Sequence, residues 1–162
     1  KKIIIQSRNK TFYKNLLVPD SIDGRFELIV LHFFFIHFSL NKKNNLERSL
    51  SEETVNLMFK DFDYNLREMG VGDLSVKKKI YHMTEALAGR IKVYKEVSEE
   101  ENGIIEETIK RNLYGTINNI DISCLNKMRR YFLDSIKFIK KNNLLEINEN
   151  SVIFLDLNNY FK

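Results

Sequence analysis

Asp20-Ser-Ile-Asp-Gly-Arg-Phe-Glu-Leu-Ile-Val-Leu-His-Phe-Phe-Phe-Ile-His-Phe38 is the stretch whose reading decides the fold of this 162-residue chain. Pro19-Asp20 signals a turn, and Ser21 or Asp23 offers a side-chain oxygen to the exposed N–H groups of a helix start. Beyond Glu27 the sequence is apolar on every face. A helix of that kind must be enclosed by other elements or by lipid. Its apolar core, Leu28 to Phe38, spans eleven positions, against about 20 for a bilayer crossing. The spacing therefore predicts a buried axial helix over about 23–41 and no transmembrane span.

The flanking sequence supplies enclosing elements. Ile5, Phe12, Leu16 and Leu17 predict a short helix before Pro19. After the polar Asn41–Asn45, Ser49-Leu-Ser-Glu52 reads as a capping box. Val55, Met58, Phe59, Phe62, Leu66 and Met69 then recur at threes and fours up to Gly70. Asp73 or Ser75 opens another helix with an inner stripe of Val76, Ile80, Met83, Leu87, Ile91 and Tyr94, and small Ala86, Ala88 and Gly89 would let a neighbouring helix approach closely. An acidic loop is expected over 96–103. Two further helices follow, one marked by Ile105, Ile109 and Leu113, the other by Leu125, Met128, Phe132, Ile136 and Ile139. The tail, Leu144–Ile147 and Val152–Leu157 around a polar turn, reads as a small β-hairpin. The expected fold is all-α: one domain over 1–162, a helical bundle around the buried helix, with that C-terminal hairpin.

Composition narrows the function classes. Net charge is +4, but 26 basic and 22 acidic residues are interleaved, so an anionic partner is permitted without being required. Cys124 stands alone, which excludes an internal disulfide, and its apolar neighbours mark a buried thiol. The run Ile3–Ile5 stops well short of the roughly 7–15 apolar residues of a signal peptide. His32 and His37, five apart, lie about 140° apart round a helix, a poor geometry for joint metal ligation. Satisfied or partly exposed histidines are the better reading, with no metal and no cofactor. Gly70-Val-Gly72 follows a helix rather than a strand and lacks a third glycine, so it is no nucleotide loop. Lys77–Lys79 reads as a solvated face, with RNA or lipid head groups as the alternative.

Two places concentrate unusual residues. At Asp23-Gly-Arg25-Phe-Glu27, a glycine at a helix start implies close contact with another segment, and charge stands at the mouth of an apolar helix. Arg25 is expected to find a carboxylate elsewhere, Glu68 or Asp73, and so to lock the helix entrance against the turn Gly70–Asp73. The second place is the stretch before that turn, where Asp63 and Arg67 form an i,i+4 pair. Three classes stay open on these residues: a binding protein, a small-molecule-binding or enzymatic protein with a pocket of Arg25, His32 and Glu68, and a ribosome- or RNA-associated module.

Three segments carry a resemblance: Val18-Pro-Asp-Ser-Ile-Asp-Gly-Arg-Phe-Glu-Leu-Ile-Val-Leu-His32, Leu57-Met-Phe-Lys-Asp61 and Asp63-Tyr-Asn-Leu-Arg-Glu-Met-Gly-Val-Gly-Asp-Leu-Ser-Val76. With them the chain, over residues 12–95, resembles the ubiquinol–cytochrome c chaperone family, assembly factors of the cytochrome bc1 complex. It departs from the family pattern at Lys77, where glycine is usual, and in Glu85-Ala-Leu-Ala-Gly-Arg90, where an aromatic-rich segment usually precedes Gly-Arg. The resemblance implies a non-enzymatic, all-helical chaperone for newly made cytochrome b, with no DNA partner. It also implies peripheral contact with a membrane, at the inner-membrane face of a bacterial cytoplasm or in a mitochondrial matrix. Mitochondrial relatives work with a small partner protein and near the ribosomal exit region. The residues it marks as structural or client-binding are Asp23, Gly24, Arg25, Glu27, Arg67, Glu68, Gly70, Gly72, Asp73, Gly89 and Arg90.

Overall fold

The computed structural model describes residues 1–40, 44–99, 104–141 and 151–161, and within them eight helices: α1 (Lys2–Ser7), α2 (Lys10–Lys14), α3 (Ile22–Ser39), α4 (Asn45–Glu68), α5 (Asp73–Glu99), α6 (Ile104–Leu113), α7 (Ile122–Lys140) and α8 (Leu157–Tyr160). They form two compact units, one of Lys1–Ser39 with Lys92–Lys162, the other of Leu40–Ile91.

In the first unit α3 is the axis. Every residue from Phe26 to Phe35 is buried, and α1, α6 and α7 pack round it. Aromatic rings fill the interior. Phe34 stacks on Phe132 of α7 at 5.9 Å and lies 5.3 Å from Tyr94, near the end of α5, while Phe35 meets Tyr131 and Phe132. Burying a side chain of this size contributes about 1.5–3 kcal/mol before ordering costs. The apolar run, too short to cross a bilayer, is enclosed by protein rings. No helix among the described residues is long and apolar enough to cross a membrane.

Several local expectations change. The expected first helix is two: the Asn9 side chain accepts from Thr11 N–H at 2.9 Å and starts α2 anew, the competition with helix continuation that short polar side chains offer. Ile5 is exposed, and Leu17, exposed as well, sits at a left-handed φ of 57°. The Ser49–Glu52 capping box is interior to α4, because Asn44 caps that helix earlier by accepting from Glu47 N–H at 2.8 Å. The inner face of α4 reduces to Met58, Phe62 and Leu66, with Met69 exposed. On α5, Gly89 is exposed and a Cβ there would meet nothing, so no helix packs closely at this glycine. Residues 96–99, expected in a loop, complete α5, and the rest of that loop lies outside the described residues.

Among the described residues there is no strand. The second arm of the expected hairpin, Val152–Leu157, is irregular up to Asp156 and enters α8 at Leu157; the first arm lies outside the described residues. Ile153, Phe154 and Leu157 are buried, Phe154 edge-on to His32 at 5.2 Å. Gln6 Nε2 donates to the carbonyl of Leu155 at 2.9 Å, Lys2 reaches the carbonyl of Ser151, and Tyr160 donates to Asp134. Side chains of α1 and α7 thus hold a segment whose apolar spacing alone suggested a strand.

Candidate functional site

The entrance to α3 is built by close approach. Ser21 Oγ accepts from Gly24 N–H at 3.1 Å. A Cβ on Gly24 would stand 2.0 Å from the carbonyl oxygen of Pro19, so only glycine lets the chain turn back on itself there. The close contact expected of Gly24 is thus present. Arg25 does not behave as expected: its Nε donates to Asp20 Oδ1 at 2.7 Å, and both side chains are exposed. The carboxylate it finds is that of Asp20, five residues away in the chain and within the same unit. Asp23 is exposed and Glu27 is buried in the first turns of α3.

His32 lies one helical face further in and is fully buried. Its Nδ1–H donates to Leu28 O at 2.6 Å, and its Nε2 accepts from the Tyr131 hydroxyl at 2.8 Å, whose oxygen in turn accepts from Gln6 at 3.2 Å. Ser7 Oγ lies 3.0 Å from Nδ1 and donates to the same Leu28 carbonyl at 3.1 Å. This chain of donors holds a neutral imidazole, and burial pushes its pKa down to about 4. Arg25 on the surface and His32 in the interior do not share a pocket, and Glu68 is exposed at the end of α4, so the structure offers no pocket of Arg25 with His32. His37 packs its ring against Phe33. Cys124 is buried, its thiol donates to Asn15 O at 3.6 Å, and burial raises its pKa, Asp121 adding to the effect. It is a packing residue. Among the described residues no group of three or more potential ligands is placed to hold a metal ion.

In the second unit the turn from α4 to α5 is tightly specified. Gly70 sits at φ +80°; Gly70 N–H bonds to Arg67 O at 2.9 Å, and Val71 N–H to Leu66 O at 3.1 Å. This is the paired arrangement of a Schellman cap, which takes glycine at its left-handed position. Arg67 donates to Asp63 through Nε at 2.7 Å and Nη2 at 3.3 Å, and through Nη1 to Asp73. The expected i,i+4 pair is there, and a second carboxylate across the turn joins it. Hydrogen bonds donated to Asp63 first, then to Asp73, keep Arg67 firmly protonated. Gly72 O accepts from Val76 N–H and starts α5.

Along α4 and α5, and at the turn itself, stand large apolar side chains that the buried stripes do not use. Leu57 (59% exposed), Tyr64 (63%), Met69 (55%), Leu74 (85%) and Tyr81 (62%) all face solvent. Leu57 and Tyr64 are seven apart on α4, and Leu74 and Tyr81 seven apart on α5, so within each pair the residues lie within about 20° of one face. Exposed Lys60 falls between the first pair and Lys78 between the second. Each helix therefore presents the series aliphatic, lysine, tyrosine. Sequence reading credited only the inner stripes; the signal available was that these four positions fall out of phase with them. Arg90 is half-buried on α5.

The ubiquinol–cytochrome C chaperone family model matches residues 14–147. The crystal structure of the Cbp3 homolog from Brucella abortus has a similar fold, with a TM-score of 0.82 and 24% sequence identity over 97% of this chain and 86% of that one. No curated protein matches this sequence.

Proposed function

The chain belongs to the ubiquinol–cytochrome c chaperone family and is therefore a non-enzymatic assembly chaperone in cytochrome bc1 biogenesis; on that premise we propose that its client is newly made cytochrome b, held on the exposed faces of α4 and α5. The observation that carries this reading is the exposure of Leu57, Tyr64, Met69, Leu74 and Tyr81 beside a turn fixed by Arg67. Exposed apolar groups around a rigid polar frame suit an unassembled membrane protein, because transient burial of its apolar segments needs no covalent step. Lysines between the apolar residues keep the face solvated when it is empty. Among the family-motif residues, Arg67, Gly70, Gly72 and Asp73 shape this corner, and Gly24 with Arg25 shapes the α3 entrance. A small partner protein, the ribosomal exit region and a peripheral membrane location belong to the same proposal.

The test is site-specific photocrosslinking during synthesis of cytochrome b. A photoreactive residue at Leu74 should capture the nascent client, and one at Ile122, exposed at 73% on α7, should not. Equal capture at both positions, or capture at Ile122 alone, refutes the assignment of the surface. A Met69→Ser/Leu74→Ser variant should keep the thermal midpoint and lose bc1 assembly, followed by cytochrome b spectra. Normal bc1 assembly in a strain deleted for the gene refutes the client itself.

A further inference from the structure

A second feature lies in the first unit, where the α1–α2 junction and the start of α3 enclose an open groove of about 670 Å³ lined by Arg8, Lys10, Tyr13, Lys14, Asp20 and Arg25. Four cations face one carboxylate. Asp20 is already held by Arg25, whose hydrogen bond keeps the carboxyl below its usual range, so Arg8, Lys10 and Lys14 have no acidic partner among the described residues. Tyr13 has its hydroxyl tied to Ser7 O at 2.8 Å and feels both Arg8 and Arg25. Asp23, two residues before Arg25, does not line the groove.

We propose that this groove docks the phosphate-bearing head groups of an acidic phospholipid at a membrane surface. Charge complementarity supplies the attraction: a net excess of three cations, Arg8 at the end of α1 with Lys10 and Lys14 of α2, in one open concavity. The chain that carries Asp20 into the groove also exposes apolar side chains. Leu17 and Ile22, 49% and 53% exposed, lie in the chain on either side of Asp20, and Leu17 holds a left-handed φ of 57° that is unfavourable for a residue with a Cβ. Cations beside exposed aliphatic side chains are the combination that binds an interface rather than a soluble anion. Single-stranded RNA fits less well: the groove is short, and its one aromatic ring is fixed by its own hydrogen bond, leaving no run of stacking platforms. The proposal is independent of the client surface on α4 and α5.

Flotation of the whole chain with vesicles tests it. Vesicles containing about a third phosphatidylglycerol should bind the protein, in a salt-sensitive manner, and pure phosphatidylcholine vesicles should not. Removing Lys10 and Lys14 (Lys10→Gln/Lys14→Gln) should lower partitioning on the order of 25-fold, taking about fivefold per lysine. Lys77→Gln/Lys79→Gln, which removes the same charge from α5, should bind as the parent does. Leu17→Ser, neutral in charge, should also weaken binding. Circular dichroism shows that each variant is folded. Undiminished binding by Lys10→Gln/Lys14→Gln, or loss by the α5 variant instead, overturns the site. So does saturable perturbation of the groove by inorganic phosphate without vesicle binding, which makes it a free-phosphate site. Displacement of the protein from vesicles by homopolymeric RNA bound in the same groove likewise overturns it.

Discussion

Lowering the pH should destabilise this protein through one buried group, His32. Its imidazole is fully buried, accepts the Tyr131 proton at Nε2 and carries its own proton at Nδ1 toward Leu28 O. Protonating Nε2 would remove the acceptor that Tyr131 uses and place a charge among Phe12, Phe35 and Phe154. The folded pKa is about 4 against 6.5 for the free side chain. The unfolded chain therefore binds the proton first as pH falls, and the stabilisation, fully present above 6.5, drains away between 6.5 and 4. Between about pH 7.5 and about pH 5 the loss amounts to about 2 kcal/mol, from 1.36 kcal/mol per pKa unit. The assay is urea unfolding at both pH values for the parent and for His32→Leu. Other acids and histidines titrate in both proteins, so the difference between their pH responses isolates His32. The variant is less stable at neutral pH, because it strands the Tyr131 hydroxyl, but it should lose about 2 kcal/mol less on acidification. Identical pH responses would refute the neutral, buried imidazole and the donor chain built on it.

Three further outcomes follow from the backbone and the caps. Gly24→Ala should lose about 1–3 kcal/mol in urea unfolding, because its Cβ would meet a backbone oxygen that cannot rotate away. Gly70→Ala should lose about 1 kcal/mol at its φ of +80°, whereas Gly72→Ala, with open space around its Cβ and no positive φ, should be close to neutral; paired thermal melts separate them. Asp121→Ala removes the oxygen that accepts Ser123 N–H at 2.7 Å and should cost about 1 kcal/mol, read as a lowered midpoint with an unchanged slope in urea.

Features carried by near neighbours were legible in the sequence. The axial helix, the Gly70 stop and the Asp63–Arg67 pair each depend on residues within a few positions, and each is found. What escaped depends on distance or competition. Gln6 and His32 meet at Tyr131, 125 and 99 residues away from them respectively, and no local pattern names that partner. The C-terminal segment has strand-like alternation, but Gln6 and a buried Phe154 decide its conformation. Two capping signals compete within ten residues near the start of α4, and the earlier Asn44 wins. Arg25 shows the opposite error, since a long-range partner was expected where Asp20 sat five residues away. The exposed face of α4 and α5 was hidden for another reason: periodicity arguments assign apolar residues to the core, and Leu57, Tyr64, Leu74 and Tyr81 are informative because they do not go there.

In the sequence, the second unit, Leu40–Ile91, lies between the two halves of the first, and this sets the order of events on the ribosome. The apolar α3 is finished at Ser39, but α6 and α7, which enclose it, are complete only at Lys140, about 100 residues later. At roughly 5–20 residues per second, that leaves α3 covered only from the α1 side for roughly 5–20 s. During this interval the chain carries an incompletely buried run of Phe and Leu of the kind it is proposed to shield in its client.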